Sequence, residues 1–581
     1  MIPKEAQEGS VAQVAKMAKI TKEEIKLLNK YVTDPTGNVF CIKGMEGLVG
    51  AAYARYSRAR GGFRETLLKE FIKEGVIDAQ HAEELIQRVL IAFGDDSVGE
   101  LEGAHLSFEN MSILATKEME ECRIGGSPIE QSTRYVFYDQ KDDQGNYKYY
   151  RDPKIMASQH ADSYVATMDF LFDTYCELIE PMKKFYKNLK PMDQAEYDIK
   201  GDCNKQKYSD LKDEKCKKAF RMTYTMDIRT RDCDTLRYIL PISTTTNVGW
   251  FGNGRFYQGL LSNLYSSPYT EAQDLGKAGH KELNKVIPAY VRRAKKDDYR
   301  VTVEKNMYKL AEDITKDIEA MPGETVGLVA DDANYIAHKL GEGYITLDKV
   351  EKALQGNHDN MTLAMMLYPY TNLPLKQLKN YVVKNLSEDI RKKIIITYIG
   401  QRRSRRDRPY RALEGSYAYT FDLVTDWGVY KDLMRHRMTS QLRQRFSPLL
   451  GFEMPPDIIE AGFEDMFSQC HEKVLELYNK LYADFPDEAS YATLHGNKNR
   501  WILAFNEREA YHLLELRTTP QGHTAYRKIA QEMHKAIKKK SSWRADNMNF
   551  VDYGDYKWAR GDSEARQRVK ENELDKKYKK K

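Results

Sequence analysis

Cysteine is scarce and scattered. The chain has seven in 581 residues, Cys41, Cys122, Cys176, Cys203, Cys216, Cys233 and Cys470, an odd number with no CxxC pair. This argues against a disulfide framework and a cysteine-based zinc centre. No apolar run approaches the roughly 18 residues of a membrane span. The N-terminus MIPKEAQEGSVAQVAKMAK has no signal-peptide core, so a soluble, reducing, cytoplasmic setting is expected. Excess charge of one sign is small: 91 Lys plus Arg against 86 Asp plus Glu, a net +5. Binding nucleic acid by bulk charge is therefore not the default reading. A hydrophobic content of 41% supports sizeable cores. At about 150 residues per domain the length allows roughly three or four domains.

Short matches recur along the chain in the same order, which indicates two copies of one unit. LEGAHLSFEN from Leu101 matches LEGSYAYTFDL from Leu413, both alternating and strand-like. Each runs into a segment that reads as helical, ILATKEMEECRI and VYKDLMRHRMTSQL. Pro-marked turns follow (YYRDPKIM, FEMPPDII), then amphipathic helices (MDFLFDTYCELIEPMKKF, MFSQCHEKVLELYNKLY). NGRFYQGLLSNLYSS from Asn253 matches NEREAYHLLELRTT from Asn506, and ELNKVI from Glu282 matches EMHKAI from Glu532. The expected division is 1–322 and 323–540, with the boundary near Pro322-Gly323. A polar insertion at 192–218 reads as a surface loop or hairpin, and residues 541–581 read as a charged, solvated tail. Mixed strands and helices give an α+β class. Cys203 and Cys216 lie in the insertion without the two further ligands that a zinc site needs.

Three constellations could carry chemistry. Arg435, His436, Arg437 and Ser440 lie at helical spacing, which puts Arg437 and His436 each on a face with Ser440. Two guanidiniums there suit phosphate or an electron-rich ring. The segment reads equally well as a solvated basic face. Glu130-Gln131-Ser132-Thr133-Arg134-Tyr135 follows Gly125-Gly126-Ser127-Pro128, which is expected to end a helix and force a turn. It could ring a polar ligand or form a surface loop with an internal ion pair. Arg500, Asn506, Arg508 and Arg517 make the third set. Arg517, at a helix end beside Thr518-Thr519, suits a phosphate, although the ordinary reading is surface arginine. Gln401 to Arg408 holds five arginines in seven residues and could bind nucleic acid.

The chain resembles the flavin-dependent thymidylate synthases, whose motif is Arg-His-Arg-x-x-Ser-x-x-Glu-x-Ser-x-Arg-Tyr. Here the motif is split. The second half keeps Arg435 to Ser440, with Arg443 and Arg445 where Glu and Ser belong. The first half keeps Glu130, Ser132, Arg134 and Tyr135, with Cys122, Arg123 and Ile124 where Arg-His-Arg belongs. LRYILPIS with NGRFYQGLL, and RWILAFNEREAYHLLELR, look like the family's later segment. Arg517 matches its phosphate-holding arginine, whereas the first half has Tyr265 or Leu264 there. Ala272-Gln273 keeps an Ala-Gln that the second half replaces with Ala525-Tyr526.

The resemblance implies the family's fold in two tandem copies, a central sheet flanked by long helices. It implies FAD-dependent methylation of dUMP to dTMP, with methylenetetrahydrofolate and NADPH as co-substrates. The complementary losses imply composite sites. Glu130, Gln131, Ser132, Arg134 and Tyr135, with Arg500 and Arg517, are expected to bind dUMP, and Ser132, Arg134 and Arg517 to take part in catalysis. Arg435, His436, Arg437, Ser440, Asn506 and Arg508 are expected on the flavin side, His436 as a positioning group or proton carrier. A flavin-side loop is also a local explanation for the arginines at 402–408. No metal, catalytic cysteine, membrane or nucleic-acid partner is expected. A homodimer mimicking the family's tetramer, with two complete sites, is expected. The alternative reading is an altered or inactive relative that binds nucleotides or nucleic acid, or that makes another 5-substituted dUMP.

Overall fold

TTNVGWFGN and KNRWILAFN each alternate with period two, as half-buried strands do. Thr246, Val248 and Trp250 turn inward in the first, and Asn499, Trp501, Leu503 and Phe505 in the second. Each strand ends on an asparagine that caps the next helix. Asn253 Oδ1 accepts from Phe256 N at 2.8 Å, and Asn506 Oδ1 from Glu509 N at 2.9 Å. The computed structural model describes residues 21–45, 49–56, 62–73, 76–77, 96–122, 124–202, 204–298, 301–302, 325–330, 347–367, 375–400, 402, 411–414, 418–556 and 558–578. The expected boundary at 322–323 lies outside them, as do Arg123, Cys203 and the arginines at 403–408.

By contacts the chain divides into two compact units. The first comprises Met1–Glu109, Glu118–Glu130 and Asn247–Thr315; the second comprises Asn110–Lys117, Gln131–Thr246 and Lys316–Lys581. These units are not the two sequence halves, because residues 131–246 pack with the second half.

The sheet of the first unit orders its strands Gly103–Ser112, Thr245–Asn253, Gly126–Glu130. Helices Gly254–Ser266 and Thr270–Leu283 follow the central strand and pack on each other. The expected turn at Gly126-Ser127-Pro128 is instead an edge strand, antiparallel to the central one with Gly126 opposite Gly252. Proline is tolerated there because an edge strand need not donate on its outer side. A Cβ on Gly126 would lie 2.4 Å from the Phe256 ring, so the glycine admits the ring.

The second unit has a four-stranded antiparallel sheet in the order Ser440–Arg443, Lys498–Asn506, Ala418–Asp426, Val326–Ala330. Apart from the added edge strand Val326–Ala330, it repeats the strand arrangement of the first sheet. The long helices Ala161–Leu189 and Glu464–Asp484 pack together, and Glu214–Leu236 packs on the former. The mixed helix and sheet is an α+β fold, as expected. Among the described residues no helix is long and apolar enough to cross a membrane.

The insertion at 192–218 includes a short hairpin, Glu196–Tyr197 with Gln206–Lys207, pinned by the buried Tyr197 ring against Phe220. The C-terminal segment is not a solvated tail. Helix Ala559–Tyr578 packs on Glu214–Leu236, with Ala565 buried and Asp562 paired to Lys205 at 2.7 Å. A Cβ on Gly561 would lie 2.6 Å from Asp227 Oδ2, so the small residue lets the helix approach. The charge-rich composition hid this small-residue face.

Arg544 anchors helix Glu507–Arg517. Its guanidinium is fully buried and bonds Glu507 at 2.9 Å and Asp359 at 2.6 Å. Arg544→Met is expected to cost about 3–5 kcal/mol, because two carboxylates lose their counter-charge. Urea denaturation checks this, and a loss under about 1 kcal/mol would contradict it.

Candidate active site

The loop after residue 130 bends back on itself, with Ser132 Oγ accepting from Arg134 N at 3.2 Å. This turn sends Arg134 onto Asp234 at the end of helix Glu214–Leu236. Nε and Nη2 each bond a carboxylate oxygen at 2.6 Å, a bidentate, charge-assisted pair that leaves Nη1 for a ligand. Burial works to raise the Asp234 pKa, but the Arg134 charge overcomes it and holds the carboxyl well below the usual range. Arg134 and Asp234 line an open cleft with Asp227, Arg231, His523 and Arg560.

A second cluster is built on helix Glu507–Arg517. Arg517 Nε donates to His436 Nε2 at 2.8 Å, and His436 Nδ1 lies 2.8 Å from Glu509 Oε1. Because Nε2 accepts from a guanidinium, the proton sits on Nδ1 and is donated to Glu509. Burial, aided by Arg517, pushes the His436 pKa down to about 4. Burial raises that of Glu509, but hydrogen bonds from His436 and His512 bring it to about 2. His436 is therefore uncharged near neutrality and orients Arg517. His436, Glu509 and His512 offer donor atoms within 4.8 Å of one another. Both His436 nitrogens are already hydrogen-bonded, and Arg517 stands against one of them, which disfavours a cation.

The two clusters are linked. Arg517 lies over the Tyr526 ring at 5.4 Å, and Tyr526 neighbours His523 on the cleft wall. Burial works to raise the Asp432 pKa, and the charges of Arg237, Arg134 and Arg517 together lower it. Residues from both sequence halves thus meet inside the second unit.

The family model described as Thy1, thymidylate synthase complementing protein, matches residues 44–289 and 376–541. The chain belongs to this family. It is 35% identical over 574 residues to the UPF0159 protein of Chlamydia pneumoniae, covering 95% of this chain and 99% of the relative. It is 29% identical over 538 residues to the UPF0159 protein of Thermoplasma acidophilum, covering 90% and 98%. Among solved structures, the flavin-dependent thymidylate synthase ThyX of Helicobacter pylori complexed with FAD and dUMP matches 44% of this chain and 98% of its own, at TM-score 0.26 and 16% identity.

The remaining Thy1-motif residues are placed differently. The helix that should carry Arg435, His436, Arg437 and Ser440 on shared faces stops at Leu433, and Ser440 opens a strand. Thr439 Oγ1 bonds His436 O at 2.6 Å and closes the turn. Consequently His436 turns inward, while Arg435, Arg437 and Ser440 are exposed. Asn506 spends its amide oxygen on the helix cap, and Arg508 pairs with Glu414 at 2.8 Å. Arg500 sits mid-strand opposite Val424, its buried Nε without a hydrogen bond among the described residues. Glu130 ends an edge strand of the first unit opposite Val248. Gln131 opens the loop that Ser132 folds, and Tyr135 N bonds Ser132 O at 3.3 Å. Arg402 is buried and doubly bonded to Glu515, flanked by Tyr511 and Phe550, so it is no solvent-facing nucleic-acid contact. Cys122 accepts from Asn263 at 2.7 Å, and burial pushes the Cys470 thiol up to about 12.

The sequence reading missed Asp234, Arg237, Asp432, Glu509, His523 and Arg560. One signal was present, since Tyr526 replaces the Gln273 of the first half and here lies under Arg517.

His436 and His523 both titrate below the free histidine value of about 6.5, at about 4 and about 3, chiefly through burial. Folding therefore favours the neutral rings. Their stability contribution is full above pH about 6.5 and is lost as pH falls toward the folded values. Thermal melting should show wild type weakening from pH 7.5 to pH 5, and His436→Gln weakening less. An equal drop in both would contradict this.

Proposed function

We propose that the protein is a flavin-dependent uracil-nucleotide methylase, making dTMP from dUMP with methylenetetrahydrofolate as carbon donor and NADPH as reductant. Membership in the Thy1 family supports the class. The observation that carries the reading is that Arg134, from the first half, shares a cleft wall with His523, whose neighbour Tyr526 lies under Arg517, itself bonded to His436 of the second half. The two halves, repeating one unit in tandem, each keep the motif part that the other lost. We infer a homodimer with two composite sites.

In this reading the Arg134 Nη1 group, left over from the Asp234 pair, binds the 5′-phosphate. Arg517, aimed by the Glu509–His436 relay, bonds a uracil carbonyl and stabilises the negative charge that develops as C5 becomes nucleophilic. Ser132 shapes the loop that presents Arg134. The exposed guanidiniums of Arg435 and Arg437, on a turn held by Thr439, fit the diphosphate of FAD. When bound, the reduced flavin supplies the hydride.

Tritium release from 5-tritiated dUMP tests the reading. Release that needs both the folate and NADPH is expected, from a protein with a visible flavin band. Arg517→Ala should lower kcat/KM by about 10²–10³, the usual cost of one such donor. Tight dUMP binding without tritium release would instead make the protein a non-catalytic nucleotide binder.

A further inference from the structure

Most charges on the cleft wall are neutralised within the protein. Arg134 pairs with Asp234 at 2.6 Å, Arg231 with Asp457 at 2.6 Å, and Asp227 with Lys190 at 2.7 Å. Arg560 is the exception. Among the described residues it forms no hydrogen bond or ion pair, and its Nε is buried without a partner, although the Glu564 charge one helical turn on acts on it. Its guanidinium rests on the Tyr135 ring at 4.3 Å, which holds it against the motif loop. Burial and the nearby Arg134 charge push its pKa down to about 9, against the opposing charge of Glu564. At neutral pH it is still a cation, and one that an anion would relieve. Arg560 opens helix Ala559–Tyr578, beyond residue 541 where the family match ends.

We propose that Arg560 is a phosphate-selecting residue of the cleft, the group that makes it take a nucleoside 5′-monophosphate in preference to the free nucleoside. The inference rests on the uracil-nucleotide reading above and adds a recognition element from outside the family-matched region. Asp234 and Asp457 each neutralise a neighbouring arginine, which leaves Arg560, opposed by Glu564 only through longer-range charge, as the cleft cation without an ion pair among the described residues.

Calorimetric titration of the full chain with dUMP, deoxyuridine and inorganic phosphate tests this. Arg560→Gln should weaken dUMP binding about 10- to 100-fold, the scale of one lost charge-assisted hydrogen bond. Deoxyuridine affinity should stay unchanged, Arg560→Lys should recover most of the loss, and melting temperatures should match wild type. Arg560→Gln binding dUMP as wild type does would overturn the inference, as would equal losses for dUMP and deoxyuridine. Inorganic phosphate separates the two readings. Arg560-dependent phosphate binding in a protein blind to dUMP supports the anion site and sinks the uracil-nucleotide reading. Absence of all three bindings in wild type sinks both.

Discussion

The Asp432 carboxylate, which faces the buried Arg237 and feels the charges of Arg134 and Arg517, is the constraint on which the arrangement of the candidate site depends. Arg237 is almost wholly buried with Nη2 3.7 Å from Asp432, and the charges of Arg134 and Arg517 also act on this carboxylate. Burying ions costs several kcal/mol each unless counter-charges stay close. Asp234 compensates Arg134, Asp432 faces Arg237, and Glu509 polarises the histidine that holds Arg517. Removing one carboxylate strands a buried cation, so the groups hold one another in place.

The backbone brings this about. Ile242 N bonds Thr493 O at 2.8 Å, His495 N bonds Leu240 O at 3.0 Å, and Gly496 N bonds Tyr238 O at 2.9 Å. These bonds join the first half's LRYILPI segment to the stretch that leads into the second half's central strand. Arg237 lies just before this seam, and the helix Glu507–Arg517 lies just after that strand. A splice of this kind explains how each half can lack part of a motif and the arginines still converge. The second unit, which takes residues 131–246 from the first half, then holds the candidate site.

Much of the fold was legible because it rests on period and order. Alternation in LEGAHLSFEN and LEGSYAYTFDL announced strands, which form at Gly103–Ser112 and Ala418–Asp426. The two sheets share a strand order that the matched segments did not specify. Local signals misled where tertiary contacts decide. The RHR segment is helix-compatible in isolation, yet its helix ends at Leu433 because the chain must turn inward for His436 to reach Glu509. Gly126-Ser127-Pro128 looks like a turn but works as an edge strand because Phe256 fills the space above its glycine. The C-terminal segment looks solvated by charge, while its small residues Gly561 and Ala565 form a packing face.

The candidate site was half legible. Ser132, Arg134, His436 and Arg517 carry a recognisable motif, but their partners are ordinary acids on helices whose spacing signals nothing. Glu509 would be read as part of a helix cap, and Asp234 as a polar residue in a charged stretch. In the proposed function, arginines from both halves act as one site. The most direct test is a double-mutant cycle on dUMP affinity with Arg134→Ala, Arg517→Ala and the double variant. The account predicts a coupling energy of at least about 1 kcal/mol between them, whereas additivity within about 0.5 kcal/mol would contradict it.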